Sequence, residues 1–275
     1  MRFFRGFAAR FACAAALTSG CAVIASASGI GVSVFAIDSG FYNALGRGSD
    51  YDGTLVPSAK YNYSTGAIDD APLGGVHVHR KNYFTFDLSG ITDEITGAEL
   101  RLYNAAPIPD GGLGYSSPDP SEMYLVGGSM FATTAEMADF AAKLTVVNDP
   151  FTAPGAAAGI ALYGKIADTL DGMPPFGMKP VDVTTNGTMV VVPLTDPGVL
   201  PYLNFFKGGP VVLGGKLMDL NPGPPDEVMF GYTHPLFPPF PSPTPELFLT
   251  VVPEPGTLAA LGLGAICLLR RRKRV

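Results

Sequence analysis

In Asn82–Leu88, NYFTFDL, the residues Phe84, Phe86 and Leu88 fall on one side of a two-residue period and Tyr83, Thr85 and Asp87 on the other. Ala98–Tyr103, AELRLY, repeats the pattern with Leu100 and Leu102 inward and Glu99 and Arg101 outward. A helix cannot sort residues this way, because its period is 3.6. Both segments therefore read as half-buried antiparallel strands with a solvated outer face. The same reading extends to Ile30–Ile37, Val181–Thr185, Thr188–Leu194, Val211–Leu213, Val228–Tyr232 and Leu247–Val252. Asn186-Gly187 lies between two of them as a hairpin signal, since both residues tolerate positive φ.

Between these strands the chain is punctuated by 34 Gly and 26 Pro in 275 residues, and only 15% of its residues are charged. That balance excludes long helical bundles and coiled coils. The expected fold is all-β, an antiparallel two-sheet sandwich of jelly-roll type carrying one short helix. The helix is placed at Thr133-Thr134-Ala135-Glu136, a capping box, followed by Met137, Phe140, Ala141 and Leu144 at helical spacing. Its apolar stripe is expected to cover a sheet edge or the sandwich mouth. A second helical turn could begin at Asp196-Pro197 and run toward Phe206.

Both ends differ in kind from this body. MRFFRGFAARFACAAALTSGCAVIASAS runs from a basic stretch through an apolar core to Ala25-Ser26-Ala27, the small-x-small pattern of signal-peptidase cleavage. Residues 1–27 are read as a signal peptide cut after Ala27, with Ala25 and Ala27 as its recognition residues. Residues 28–252 are the ectodomain. Residues 253–275 begin with Pro253-Glu254-Pro255-Gly256, continue as the 13 apolar or small residues Thr257–Leu269, and end in Arg270, Arg271, Arg272, Lys273 and Arg274 before Val275. The prolines break secondary structure, the apolar run forms a short transmembrane helix, and the basic cluster stops it at the cytoplasmic face.

Motif, helix and basic cluster in this order resemble the PEP-CTERM sorting signal. The resemblance implies an exported protein of a Gram-negative bacterium, recognised by an exosortase near Pro253–Gly256. It implies an inner-membrane intermediate and then a place at the cell surface or in extracellular matrix, in organisms that make exopolysaccharide and biofilm. Signal peptidase would be the other export partner. The stretch NYFTFDLSGITDEITGAELRLYNA resembles a module found in exported bacterial proteins with such tails, which implies a sandwich of carbohydrate-module type.

Setting the ends aside exposes the body's charge. Eight of 18 basic residues lie in the two ends and only Glu254 of 24 acidic residues does, which leaves a net −13 over Ser28–Val252. Such a body repels nucleic-acid phosphates, and no nucleic-acid partner is expected. All three Cys (Cys13, Cys21 and Cys267) belong to the ends, so the exported body has no disulfide.

Candidate chemistry is sparse. His77-Val78-His79 places two imidazoles on one strand face, a geometry that can begin a Zn site, but the body has no Cys and the only third His is His234, so the pair reads as a solvent-facing or edge strand leading into Asn82–Leu88. There is no Gly-x-Ser-x-Gly elbow and no phosphate-binding Gly loop with Lys. Asp69-Asp70, Asp93-Glu94 and Asp226-Glu227 read as solvated turns. Asp110, Asp119 and Glu122, on a Gly/Pro-rich loop, are candidate ligands for a structural Ca²⁺; no other cofactor is expected. The expected function is therefore a non-enzymatic surface or matrix protein. The alternative is a carbohydrate-binding module that stacks exopolysaccharide on exposed tyrosines such as Tyr42, Tyr51, Tyr61, Tyr63, Tyr115 and Tyr124.

Overall fold

The structure, a computed structural model, describes residues 29–48, 63–70, 76–106, 114–144, 153–220, 225–230 and 243–253. The expected signal peptide and the apolar helix Thr257–Leu269 lie outside these residues. Among the described residues no helix is long and apolar enough to cross a membrane.

The described body is mostly β and antiparallel throughout. Its strands are β1 (Ile30–Asn43), β2 (Thr65–Asp70), β3 (Val76–Asp87), β4 (Glu94–Asn104), β5 (Glu122–Gly128), β6 (Gly177–Val181), β7 (Thr188–Pro193), β8 (Pro210–Leu217), β9 (Glu227–Met229) and β10 (Glu246–Val252). They follow the order β6-β5-β8-β3-β1-β10-β4-β7, with β2 added to β3 and β9 added to β2. β1 belongs to two ladders. Its first half pairs β10, from Ile30 opposite Val251 to Phe35 opposite Glu246. Its second half pairs β3, from Ala36 opposite Phe86 to Asn43 opposite Arg80. The register slips between Ala36 and Asp38, so Ile37 is the extra residue of a bulge, the device by which a strand bends between sheets.

The chain then alternates between the half β1-β10-β4-β7 and the half β3-β8-β5-β6 as it runs. This interleaving is consistent with the expected jelly-roll-like body. The two halves are not separate sheets, because β1 joins them on one side. On the other side their outer strands come close: Gly177 sits against the Pro193 carbonyl, and the Asp196 N–H donates to the Phe176 carbonyl at 3.1 Å. The result is nearly a barrel.

Inside lie the residues that the alternation selects. Phe84, Phe86, Leu88, Leu100 and Leu102 are fully buried. Tyr63 packs against Phe84 and Phe230, and Tyr124 meets Phe230 edge-on at 5.0 Å between centroids. Such tilted and edge-on contacts are the favoured geometry of aromatic pairs. The outer face of β3 departs from the expectation of a solvated face: Tyr83 and Thr85 are buried as well. The reason is helical cover. Helix α1 (Thr134–Leu144) turns Met137, Phe140, Ala141 and Leu144 inward, and the Tyr83 hydroxyl donates to its Leu144 carbonyl at 3.1 Å. α1 thus covers a sheet face and not an edge or mouth. The Thr133 half of the capping box forms as expected, its Oγ1 accepting from the Glu136 N–H, while Glu136 Oε2 reaches one residue further back and accepts from the Ala132 N–H.

Two further α-helices accompany α1 where one was expected. α3 (Val199–Phe206) realises the turn expected after Asp196-Pro197, with Asp196 Oδ1 accepting from the Gly198 N–H. α2 (Ala153–Lys165) had no amphipathic signal in its Ala- and Gly-rich sequence. The expected strand Val181–Thr185 ends at Val181. Asp182 accepts from the Thr184 N–H at 2.7 Å and draws Val183–Thr185 into a 3-10 turn. Asn186-Gly187 therefore joins this turn to β7 and closes no hairpin; β6 pairs β5 whereas β7 pairs β4.

One glycine contact fixes where α2 sits. Gly46, at φ +80°, lies in a turn held by Asn43 Oδ1, which accepts from the N–H groups of Leu45 and Arg47. A Cβ at Gly159 of α2 would collide with the Gly46 carbonyl. Gly159→Ala is expected to lower stability by about 2 kcal/mol despite the better helix propensity of Ala. Gly164→Ala on the same helix meets nothing within 4 Å and is expected to raise stability by about 0.5–1 kcal/mol. Thermal melts of the two variants should therefore shift in opposite directions.

Candidate functional site

The expected sorting segment starts where a fully paired strand stops. β10 lies between β1 and β4, with Val251 opposite both Ile30 and Ile95, and Val252 opposite Glu94. Pro253 follows at once, and having no N–H it cannot extend the ladder. No free linker separates the body from the motif. The other end of the body leaves at the same place, because Ile30 begins β1 beside Val251. The expected cleavage residue Ala27 stands three positions before Ile30. Ala25, Ala27, Glu254, Pro255, Gly256 and the basic residues Arg270, Arg271, Arg272, Lys273 and Arg274 themselves lie outside the described residues.

The tyrosines proposed for sugar stacking are turned inward. Tyr42, Tyr63, Tyr115 and Tyr124 are all buried, while Tyr51 and Tyr61 lie outside the described residues. Their hydroxyls serve the fold: Tyr63 donates to the Tyr103 carbonyl, Tyr124 to Asn82 Oδ1 and Tyr115 to the Asp119 carbonyl, each within 2.9 Å. Burial holds the Tyr63 and Tyr124 phenols well above their ordinary pKa. The half-buried Tyr163 lines a cleft of about 590 Å³ together with His79, Lys81, Lys216 and Asp171. Lys81 Nζ stands 5.1 Å from the Tyr163 ring centroid. Lys81 and Lys216 share Asp171, at 3.7 and 3.3 Å. Burial lowers the Lys81 pKa, and the attraction of Asp171 opposes that shift.

The carboxylates expected on one loop are completed from elsewhere. Asp119 and Glu122 do come together, and Asp110 lies outside the described residues. Glu227 of β9 joins them, the three ligand oxygens lying within 4.8 Å of one another. Ser116 and Val228 exchange backbone hydrogen bonds of 2.8 and 2.7 Å, which dock the loop on β9. Asp226-Glu227 is thus no solvated turn, since Glu227 is completely buried. More than a hundred residues separate it from Glu122, and only the sheet brings them together.

The histidine pair also divides. His77 turns to Asp69, with its Nδ1 3.1 Å from Oδ1, whereas His79 is exposed and lines the cleft. His234 lies outside the described residues.

Residues 251–274 match the PEP-CTERM protein-sorting motif. The match begins inside β10 and runs through the breaker, the apolar segment and the basic cluster. The chain therefore carries the signal of an exported protein sorted by an exosortase at the membrane. No curated protein matches the chain.

The acidic cluster has a consequence for stability. Desolvation raises the Glu122 pKa, and the nearby Glu227 and Asp119 raise it further, against the Ser117 hydroxyl that donates to it at 2.8 Å. A carboxyl whose folded pKa lies above its unfolded value binds the proton more tightly when folded. Its charge therefore costs stability progressively as pH rises from the ordinary carboxylate range through the raised value. Glu122→Gln keeps the acceptor for Ser117 and removes the charge. In chelator-containing buffer, its melting midpoint should exceed that of wild type at pH 7 and converge with it near pH 3.5.

Proposed function

We propose that this chain is a non-enzymatic protein of the cell surface or extracellular matrix, built on a jelly-roll-like body and released to its destination through its C-terminal motif. The observation that carries this reading is the pairing of Ile30 with Val251. Both export signals leave the folded body side by side, so a body tethered by either presents the same end to the membrane. Signal peptidase first frees the N-terminus after Ala27. The 13-residue apolar segment, which as a helix would reach about 20 Å against a ~30 Å hydrocarbon core, then holds the protein as an inner-membrane intermediate. Arg270–Arg274 prevents the helix from being drawn through.

The inward tyrosines favour a structural role over sugar recognition. Their hydroxyls and rings are committed to the core. A second reading, attachment to exopolysaccharide, draws its support from the cleft at Tyr163, where an aromatic ring lies beside Lys81 and Lys216 in an otherwise acidic body. A glycan array with the purified protein separates the two: retention of acidic glycans, lost in Tyr163→Ala, supports attachment.

For the sorting step, a proline on each side disfavours helix at Glu254 and favours the extended form a peptidase cleft accepts. The surface protein is expected to lack Thr257–Val275. The double substitution Pro253→Ala and Pro255→Ala should leave the tail attached and the protein in the inner membrane. Intact-mass analysis of cell fractions checks both. Wild-type surface material that still contains Arg274, in a strain with active exosortase, would contradict the reading.

A further inference from the structure

Three adjacent strands bring two carboxylates and an imidazole together, in a group that shares no residue with the Asp119 cluster. The β2–β3 ladder sets Asp69 opposite His77. The β2–β9 ladder sets Ala67 opposite Glu227, which draws Asp226, the residue before β9, alongside Asp69. His77 Nδ1 is 3.1 Å from Asp69 Oδ1 and 3.9 Å from Asp226 Oδ1. Asp226 is held in place by the Asp69 N–H, which donates to its Oδ1 at 2.7 Å. All three ligand atoms lie within 4.8 Å of one another.

The histidine is committed to this point. Its side chain is 7% exposed, and its Nε2 is buried with no hydrogen-bond partner. The polar interactions of the ring therefore run through Nδ1 toward the two carboxylates. One imidazole N–H can satisfy only Asp69; at 3.9 Å Asp226 is beyond hydrogen-bonding reach. Two carboxylates are thus held beside one imidazole N–H and one backbone N–H, an arrangement a dication would compensate better than these two donors can. The spacing suits one. Zinc-type bonds of about 2.0–2.1 Å in a tetrahedron put neighbouring ligand atoms about 3.3 Å apart. The observed 3.1 and 3.9 Å bracket that edge.

The side chains of Asp69 and Asp226 are 44% and 41% exposed, so the cluster opens to solvent on their side. Water can complete the coordination there. The imidazole also decides the kind of ion. Calcium and magnesium take oxygen spheres, whereas a nitrogen ligand with carboxylates suits zinc and its neighbours.

We propose that Asp69, His77 and Asp226 bind one divalent transition ion of the zinc class, tying the short strand β9 to β2 and β3. The site is distinct from the candidate calcium ligands and does not depend on the sorting reading.

The test is calorimetric titration of the purified full chain with ZnCl₂, in parallel with CaCl₂ and with thermal melts. One Zn²⁺ per chain and a raised melting midpoint reversed by EDTA are expected. Asp226→Asn and His77→Gln should each weaken Zn²⁺ binding about tenfold or more. His79→Gln should leave it unchanged. Because the His77 side chain is buried and that of Asp226 is exposed, Asp226→Asn is the deciding variant. Absence of Zn²⁺ binding, or binding that Asp226→Asn leaves intact, would overturn the proposal. A calcium-induced midpoint shift that Asp226→Asn abolishes, with no such shift from zinc, would overturn the choice of ion.

Discussion

The bulge at Ile37 lets one strand serve two ladders, and most of the architecture follows from that. Before it, β1 gives its hydrogen bonds to β10; after it, to β3. A straight strand could not do both while the two halves wrap a shared core. Asp38, the first residue past the slip, is buried, and its Oδ2 lies 3.3 Å from the Tyr83 hydroxyl, whose one proton it shares with the Leu144 carbonyl. The bend is therefore fastened to β3 by a side chain as well as by the ladder. Since β1 is the first and β10 the last of the described strands, their pairing closes the body on itself and brings its start beside the strand from which the sorting motif continues.

An exported domain without cysteine has no disulfide to hold it together and leans on packing and hydrogen bonds. Here the tyrosines do both. Tyr63, Tyr124 and Tyr202 bury large rings and deliver their hydroxyls to Tyr103, Asn82 and Val212. Asn82, fully buried, completes the chain by donating to the Tyr63 carbonyl at 3.1 Å. A buried hydroxyl so satisfied avoids the desolvation penalty of an unpaired one. Residues that composition would assign to sugar binding are in this way absorbed by the core.

What could be read from sequence was local. The inward sets of β3, β4 and α1 and the Thr133 cap each depend on neighbours within a few residues, and each is found in place. So is the sorting segment, whose parts follow one another along the chain. Other features were hidden for physical reasons. Gly127-Gly128 ends β5 under the Leu170 and Tyr202 side chains, so close packing removed the large residues that would have marked the strand. In α2 the same need for close approach at Gly159 erased the amphipathic stripe. Glu227 and Asp226 owe their surroundings to β9 pairing with β2, a contact across more than 150 residues. No sequence pattern announces such a meeting.

Native-state hydrogen exchange along β1 tests most directly whether this strand unites the two halves. If it does, the amides of Val32–Phe35, those of Ser39–Asn43 and those of Leu247–Val251 in β10 should open together, with one denaturant dependence equal to that of global unfolding. Exchange of Val32–Phe35 and β10 at low denaturant, while Ser39–Asn43 stays protected, would show two independent halves and contradict the account.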